Sequence, residues 1–86
     1  NAISPNNDGS NDYLFFDEIS NGQLVRAHLL VFDRAGRPVF ESKDYKNNWS
    51  GKHSDGSDLP VDTYYYVLYI DLQKGKYVKG PVTILK

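Results

Sequence analysis

The stretch Leu29 to Phe40, LLVFDRAGRPVF, limits the possible folds of this chain more than any other segment. Side chains alternate across a strand, so Leu29 and Val31 point one way and His28, Leu30 and Phe32 the other. Val39 and Phe40 resume the apolar pattern after Asp33-Arg34-Ala35-Gly36-Arg37. No helical period of 3.6 fits these residues, and the spacing predicts a β-hairpin. Gly36 suits the positive φ that a tight loop of this length commonly needs. Pro38 has no N–H to donate and belongs at the start of the return strand or on an edge.

The other segments read as partners for that hairpin. Asn1 to Asp12, NAISPNNDGSND, is a turn-forming run in which Asp8 and Asp12 are expected to cap backbone N–H groups. The oxygen-bearing side chains at Asn6, Asp8, Asn11 and Asp12 also suit a hard cation. However, an EF-hand loop needs glycine at its sixth position, where a count from Asn6 reaches Asn11. A self-capped turn without metal is the expectation. Tyr13 to Asp17 is predicted as the first strand, with Leu14 and Phe16 inward and Ile19 closing the core. Ser20-Asn21-Gly22 then turns the chain, and Leu24 to Asp33 is predicted as the next strand or pair of strands. Asp44 to Gly51 is irregular, and its lone Trp49 is expected to plug the core. Lys52 to Pro60 is polar and turn-rich.

Val61 to Leu72 is the longest predicted strand, with Tyr64, Tyr66, Leu68, Ile70 and Leu72 on the core face. Tyr65, Val67 and Tyr69 share the opposite face with Thr63 and Asp71. After a turn at Gln73-Lys74-Gly75-Lys76, Tyr77 to Lys86 returns with Val82 and Ile84 inward. Gly80-Pro81 predicts a bulge or an edge. No helix longer than a turn is expected. Six or seven short strands at this spacing point to an all-β fold, an immunoglobulin-like antiparallel β-sandwich of about seven strands.

At 86 residues the chain is one domain with one modest core. It lacks methionine and starts at Asn1, and its last apolar strand runs to Lys86. It therefore reads as a piece, residues 1–86, excised from the C-terminal end of a longer protein. Cysteine is absent, which rules out a disulfide framework and thiolate metal sites. No apolar run approaches the ~20 residues of a membrane helix. Net charge is −1, yet all charges before Arg26 are acidic and all after Asp71 are the lysines 74, 76, 79 and 86. This near-neutral balance argues against nucleic-acid binding. His28 and His53 have no zinc-site spacing, the serines have no nucleophile elbow, and no phosphate loop appears. The residues alone lead to a non-enzymatic, exported or surface binding module without a cofactor.

Five motifs then stand in a specific order. They are Ser4 to Asp12 (SPNNDGSND), Val31 to Phe40 (VFDRAGRPVF), Tyr45 to Gly51 with Trp49-Ser50-Gly51, Leu59 to Tyr66 (LPVDTYYY), and Gly80 to Ile84 (GPVTI). Together they resemble the gliding-motility-associated C-terminal domain, the type B sorting domain of the bacterial type IX secretion system. The structural positions of that pattern map to Asp8, Gly9, Asp12, Arg34, Gly36, Trp49 and Gly51. Asn7, Asp33, Ala35, Ser50 and Asp62 depart from it. The resemblance implies a non-catalytic export signal that transits the periplasm and delivers cargo to the cell surface or medium. It implies translocon components and a dedicated outer-membrane barrel protein as partners, with no membrane insertion of its own. For recognition, the last hairpin offers Tyr65 and Tyr69 off the core face and Lys74, Lys76 and Lys79 around its turn. Two other classes stay open: a carbohydrate-binding module stacking sugars on Trp49 and the Tyr65/Tyr69 stripe, and a structural stalk domain of an adhesin.

Overall fold

The computed structural model describes residues 2–5, 9, 11–24, 26–71 and 74–85. Asn6, Asn7, Asp8, Leu72, Gln73 and Lys86 lie outside them. The fold is all-β. Its strands are β1 (Ala2–Ile3), β2 (His28–Phe32), β3 (Pro38–Ser42), β4 (Thr63–Asp71) and β5 (Lys76–Ile84), with a single helical turn, α1 (Asp17–Ser20). They make one five-stranded sheet in the order β1-β5-β4-β2-β3. Every neighbouring pair is antiparallel except β1 and β5, which run parallel.

The organising hairpin forms as its pattern predicts. Leu29 and Val31 are fully buried, and the flanking His28, Leu30 and Phe32 are only partly so. Gly36 takes φ of 85° in the loop. Pro38 opens β3, which is an edge strand. That edge is capped, because the Ser54 N–H donates to the Val39 carbonyl at 3.0 Å.

The second layer of the core is not a hydrogen-bonded sheet among the described residues. It is built from the segments 11–24 and 43–61, which have no strand longer than an isolated bridge. Tyr13 to Asp17 alternates as expected, with Leu14 and Phe16 buried and Tyr13 and Phe15 exposed. It is nevertheless not a strand, and Asp17 begins α1. The reason is what lies beside it. The Leu14 N–H donates to the Trp49 carbonyl at 3.0 Å, and Phe16 meets a side chain instead of a backbone. Asn47 Oδ1 accepts the Phe16 N–H at 2.9 Å while its Nδ2 donates to the Phe16 carbonyl at 3.1 Å.

Tyr45 and Trp49 hold this layer together. The Tyr45 hydroxyl donates to the Leu14 carbonyl at 2.6 Å and accepts the Trp49 N–H at 2.9 Å. Trp49 is 2% exposed, and its indole N–H donates to the Lys52 carbonyl at 2.8 Å. Burial pushes the Tyr45 phenol far above its ordinary value of 10.0, so it stays neutral. Gly51, at φ 82°, follows Trp49 where a Cβ would sit 3.0 Å from Ile84 Cδ1. Around these residues Ile3, Leu59, Tyr64, Leu68, Val82 and Ile84 complete the core, and Ile19 packs on its margin.

Two expectations for the last hairpin change. Ile70 shares the core-facing row but is 43% exposed. β2 reaches only as far as His28 opposite Tyr69, so Ile70 lies past the end of the core. Gly80-Pro81 holds register opposite Tyr66 and Tyr65, and the irregularity falls between Tyr69 and Asp71. β5 is not an edge strand, but β1 pairs with it only at Thr83 and Ile84, so Pro81 falls on a stretch that β1 does not cover. The Ile84 N–H donates across to Asp62 and the Leu85 N–H to Ile3. Alternate residues of β5 therefore face β4 and the outer edge, and Pro81 falls in the outer set, where its missing N–H breaks no bond to β4.

Truncation of Trp49 to alanine should cost about 3–5 kcal/mol, enough to unfold most domains of this size. Tyr45→Phe keeps the ring and removes only the hydroxyl. It should cost about 1–3 kcal/mol for each buried group left unpaired. Urea melts of the two variants check both values, and a Tyr45→Phe midpoint equal to wild type would deny the hydroxyl its bridging role.

Candidate functional site

With the core on one side of the sheet, β2, β4 and β5 turn their other residues outward in three rows. His28, Tyr69 and Tyr77 are register partners across the three strands, as are Leu30, Val67 and Lys79, and then Phe32, Tyr65 and Pro81. Beyond them the Thr63 and Thr83 hydroxyls meet at 3.0 Å. The rows are open at Tyr65 and Tyr77, while Leu30 borders a groove that it shares with Glu41, His53 and Asp55. Tyr65 is 48% and Tyr77 49% exposed.

The first row is aromatic throughout. Ring centroids lie 5.9 Å apart from His28 to Tyr69 and 5.8 Å apart from Tyr69 to Tyr77. Successive planes tilt by 59° and 60°, so the rings offer no common plane. His28 Nε2 also contacts Glu41 Oε2 of β3 at 2.6 Å, which closes the row at its far margin.

Tyr65 and Tyr69 thus lie on the outer face, as their alternation predicts. The three lysines do not gather there. Lys79 belongs to the outer face beside Val67, Lys76 opens β5 past the register irregularity as partner of Asp71, and Lys74 lies in the turn between the strands. His28, Leu30, Phe32, Val67 and Tyr77 join the face without having been singled out as site residues. The alternation about Leu29 and Val31 had already placed the first three off the core. Only the strand order reveals that they adjoin Tyr65 and Tyr69.

The motif residues at the turns act on backbone. Asp12 is 8% exposed, and its Oδ2 accepts the Gly9 N–H at 2.9 Å. Asp8, its expected companion, lies outside the described residues. Among the described residues no three His, Asp or Glu side chains gather as metal ligands. Gly51 and Asp12 border one groove together with Pro5, Tyr13 and Lys52. Trp49, buried as above, offers no stacking surface. No helix among the described residues is long and apolar enough to cross a membrane.

The loop between β2 and β3 is organised by Asp33. Its Oδ1 accepts the N–H groups of Ala35 at 3.0 Å and Arg37 at 2.9 Å, and its Oδ2 accepts Arg37 Nε at 3.1 Å. The Arg37 N–H is the main cause that holds the Asp33 carboxyl below its ordinary value of 3.8, with the Ala35 N–H and the Arg37 charge adding to it. Arg34, mostly exposed, reaches towards Asp62 with Nε 3.6 Å from its Oδ1.

The chain matches the CHU_C type IX secretion signal domain over residues 1–84. No curated protein matches it. Among solved structures it is similar to PorZ, described as an essential bacterial surface component of the type IX secretion system of Porphyromonas gingivalis. The TM-score is 0.57 at 16% identity, and the likeness covers 72% of this chain and 8% of that one. At that identity the likeness is one of fold.

The Asp33 loop carries a pH dependence of known sign. A carboxyl with a lowered folded pKa contributes stability that is complete above the unfolded value and is lost as pH falls through the folded one. Carboxyl-carbon NMR should place the Asp33 midpoint below 3.8. A midpoint at or above that value would mean that the amides of the loop do not hold the carboxylate in solution.

Proposed function

The chain belongs to the CHU_C type IX secretion signal domain family, and on that premise we propose that it is a folded, non-catalytic export signal for a cargo protein. The match over residues 1–84, nearly the whole chain, carries this reading. The cargo passes through the periplasm to the cell surface or the medium. The domain is recognised as a monomer, after folding, by components of the type IX translocon and by a dedicated outer-membrane barrel protein. It uses no cofactor, binds no nucleic acid and does not insert into the membrane.

A folded signal is read through its surface, and the terminal hairpin is the part we assign to recognition. Tyr65 and Tyr69 supply aromatic contact area, of the kind enriched among the residues that dominate binding energy. Lys74, Lys76 and Lys79 place positive charge around and beside the hairpin turn, where it speeds encounter with an acidic partner. The carbohydrate-binding alternative loses its strongest support with the burial of Trp49. The tilted rings of the outer face fit a sugar plane poorly.

A periplasmic reporter fused to residues 1–86 should reach the medium or cell surface of a type IX-competent cell. It should stay in the periplasm when the barrel partner is deleted. Retention in the wild-type cell would overturn the sorting role and favour a structural one. Reversal of Lys74, Lys76 and Lys79 to glutamate should leave the melting temperature nearly unchanged, because exposed charges contribute little to stability. The same variant should accumulate cargo in the periplasm, and normal secretion would move recognition away from these lysines.

A further inference from the structure

We infer that the docking surface is the whole three-strand outer face, with β2 as much a part of it as the terminal hairpin, and that it takes an apolar protein surface bearing carboxylates. This rests on the sorting role proposed above and names the surface and the chemistry through which that role is performed. Leu30, Val67 and Phe32 are only partly buried, in the middle of a sheet whose other face is a closed core. Tyr65, Tyr69 and Tyr77 surround them. Apolar area of this kind inside a polar rim is the usual anatomy of a protein interface.

The charges on the face indicate the partner's character. Lys79 stands beside Val67 at the centre, and no ion pair holds it among the described residues. The hydroxyls of Tyr65, Tyr69 and Tyr77 make no hydrogen bond among the described residues, whereas those of Tyr45 and Tyr64 do. Glu41, the carboxylate at the β3 margin, is already engaged by His28. The face therefore presents one ammonium and three phenol donors over an apolar floor, which oxygen acceptors on a partner would satisfy. A lipid surface is the weaker fit. The apolar residues lie flat in mid-strand instead of projecting from a tip, and insertion favours a continuous apolar face with strongly basic flanks.

The test uses the reporter fusion and the purified domain, with Leu30→Asp and Leu30→Thr on β2 and Lys79→Glu on β5. Leu30→Thr places a β-branched residue, which suits a strand, at the same position and guards against failure of the aspartate variant to fold. We expect melting to confirm folding and secretion to drop by about thirtyfold, the loss that marks an energetically dominant interface residue. Normal secretion of a folded Leu30 variant, while the triple lysine reversal blocks export, would overturn the three-strand face and leave the hairpin as the signal. Leu30-dependent sedimentation of the domain with phosphatidylglycerol vesicles would replace the protein partner with a membrane. A dimer that Leu30→Asp dissociates would replace it with a second copy of this chain. Failure of the wild-type fusion to leave the periplasm would overturn the sorting role itself, and the docking surface with it.

Discussion

One phenol hydroxyl stands between this sheet and an unsatisfied interior. A single sheet with a buried face needs a second layer, and a layer without strands has backbone groups that no ladder pairs. Tyr45 resolves this inside the core, where its oxygen receives one N–H and supplies one proton to a carbonyl of a distant segment. The Asn47 carboxamide repeats the device one step along, pairing with both backbone groups of Phe16. Trp49 packs its buried ring against Phe40 beside them. Two side chains thus do for the 11–24 segment what a neighbouring strand does elsewhere.

This explains which parts of the fold could be read from the sequence. The alternation of Leu29 and Val31, the glycine at position 36 and the proline opening β3 are local requirements, and local requirements are written in adjacent residues. The burial of Leu14 and Phe16 was legible for the same reason. Their lack of a strand partner was not, because alternation reports which side is buried and says nothing of what supplies the hydrogen bonds. Asn47 gave no warning: a polar residue in a turn-rich run has many uses, and its role depends on Phe16, far away in sequence. Ile70 continued a convincing row past the point where β2 ends to cover it.

The outer face was half legible for a related reason. Tyr65 and Tyr69 could be placed off the core from their own strand. Their neighbours His28 and Phe32 come from a hairpin more than 30 residues earlier, and only the order β5-β4-β2 sets them side by side. The organising hairpin consequently serves both sides of the sheet. Leu29 and Val31 belong to the core, and the residues between and beside them build the exposed surface.

The parallel contact of β1 with β5 has a mechanical meaning. Ala2 and Ile3 lie beside Thr83 and Ile84 and run in the same direction. A pull applied at Ala2 and resisted at Leu85 therefore acts along both strands in opposite senses. It stresses the bridging hydrogen bonds together, in shear, instead of peeling them apart one after another. Tension along the polypeptide would meet its first resistance at this clasp, ahead of the core that lies behind it.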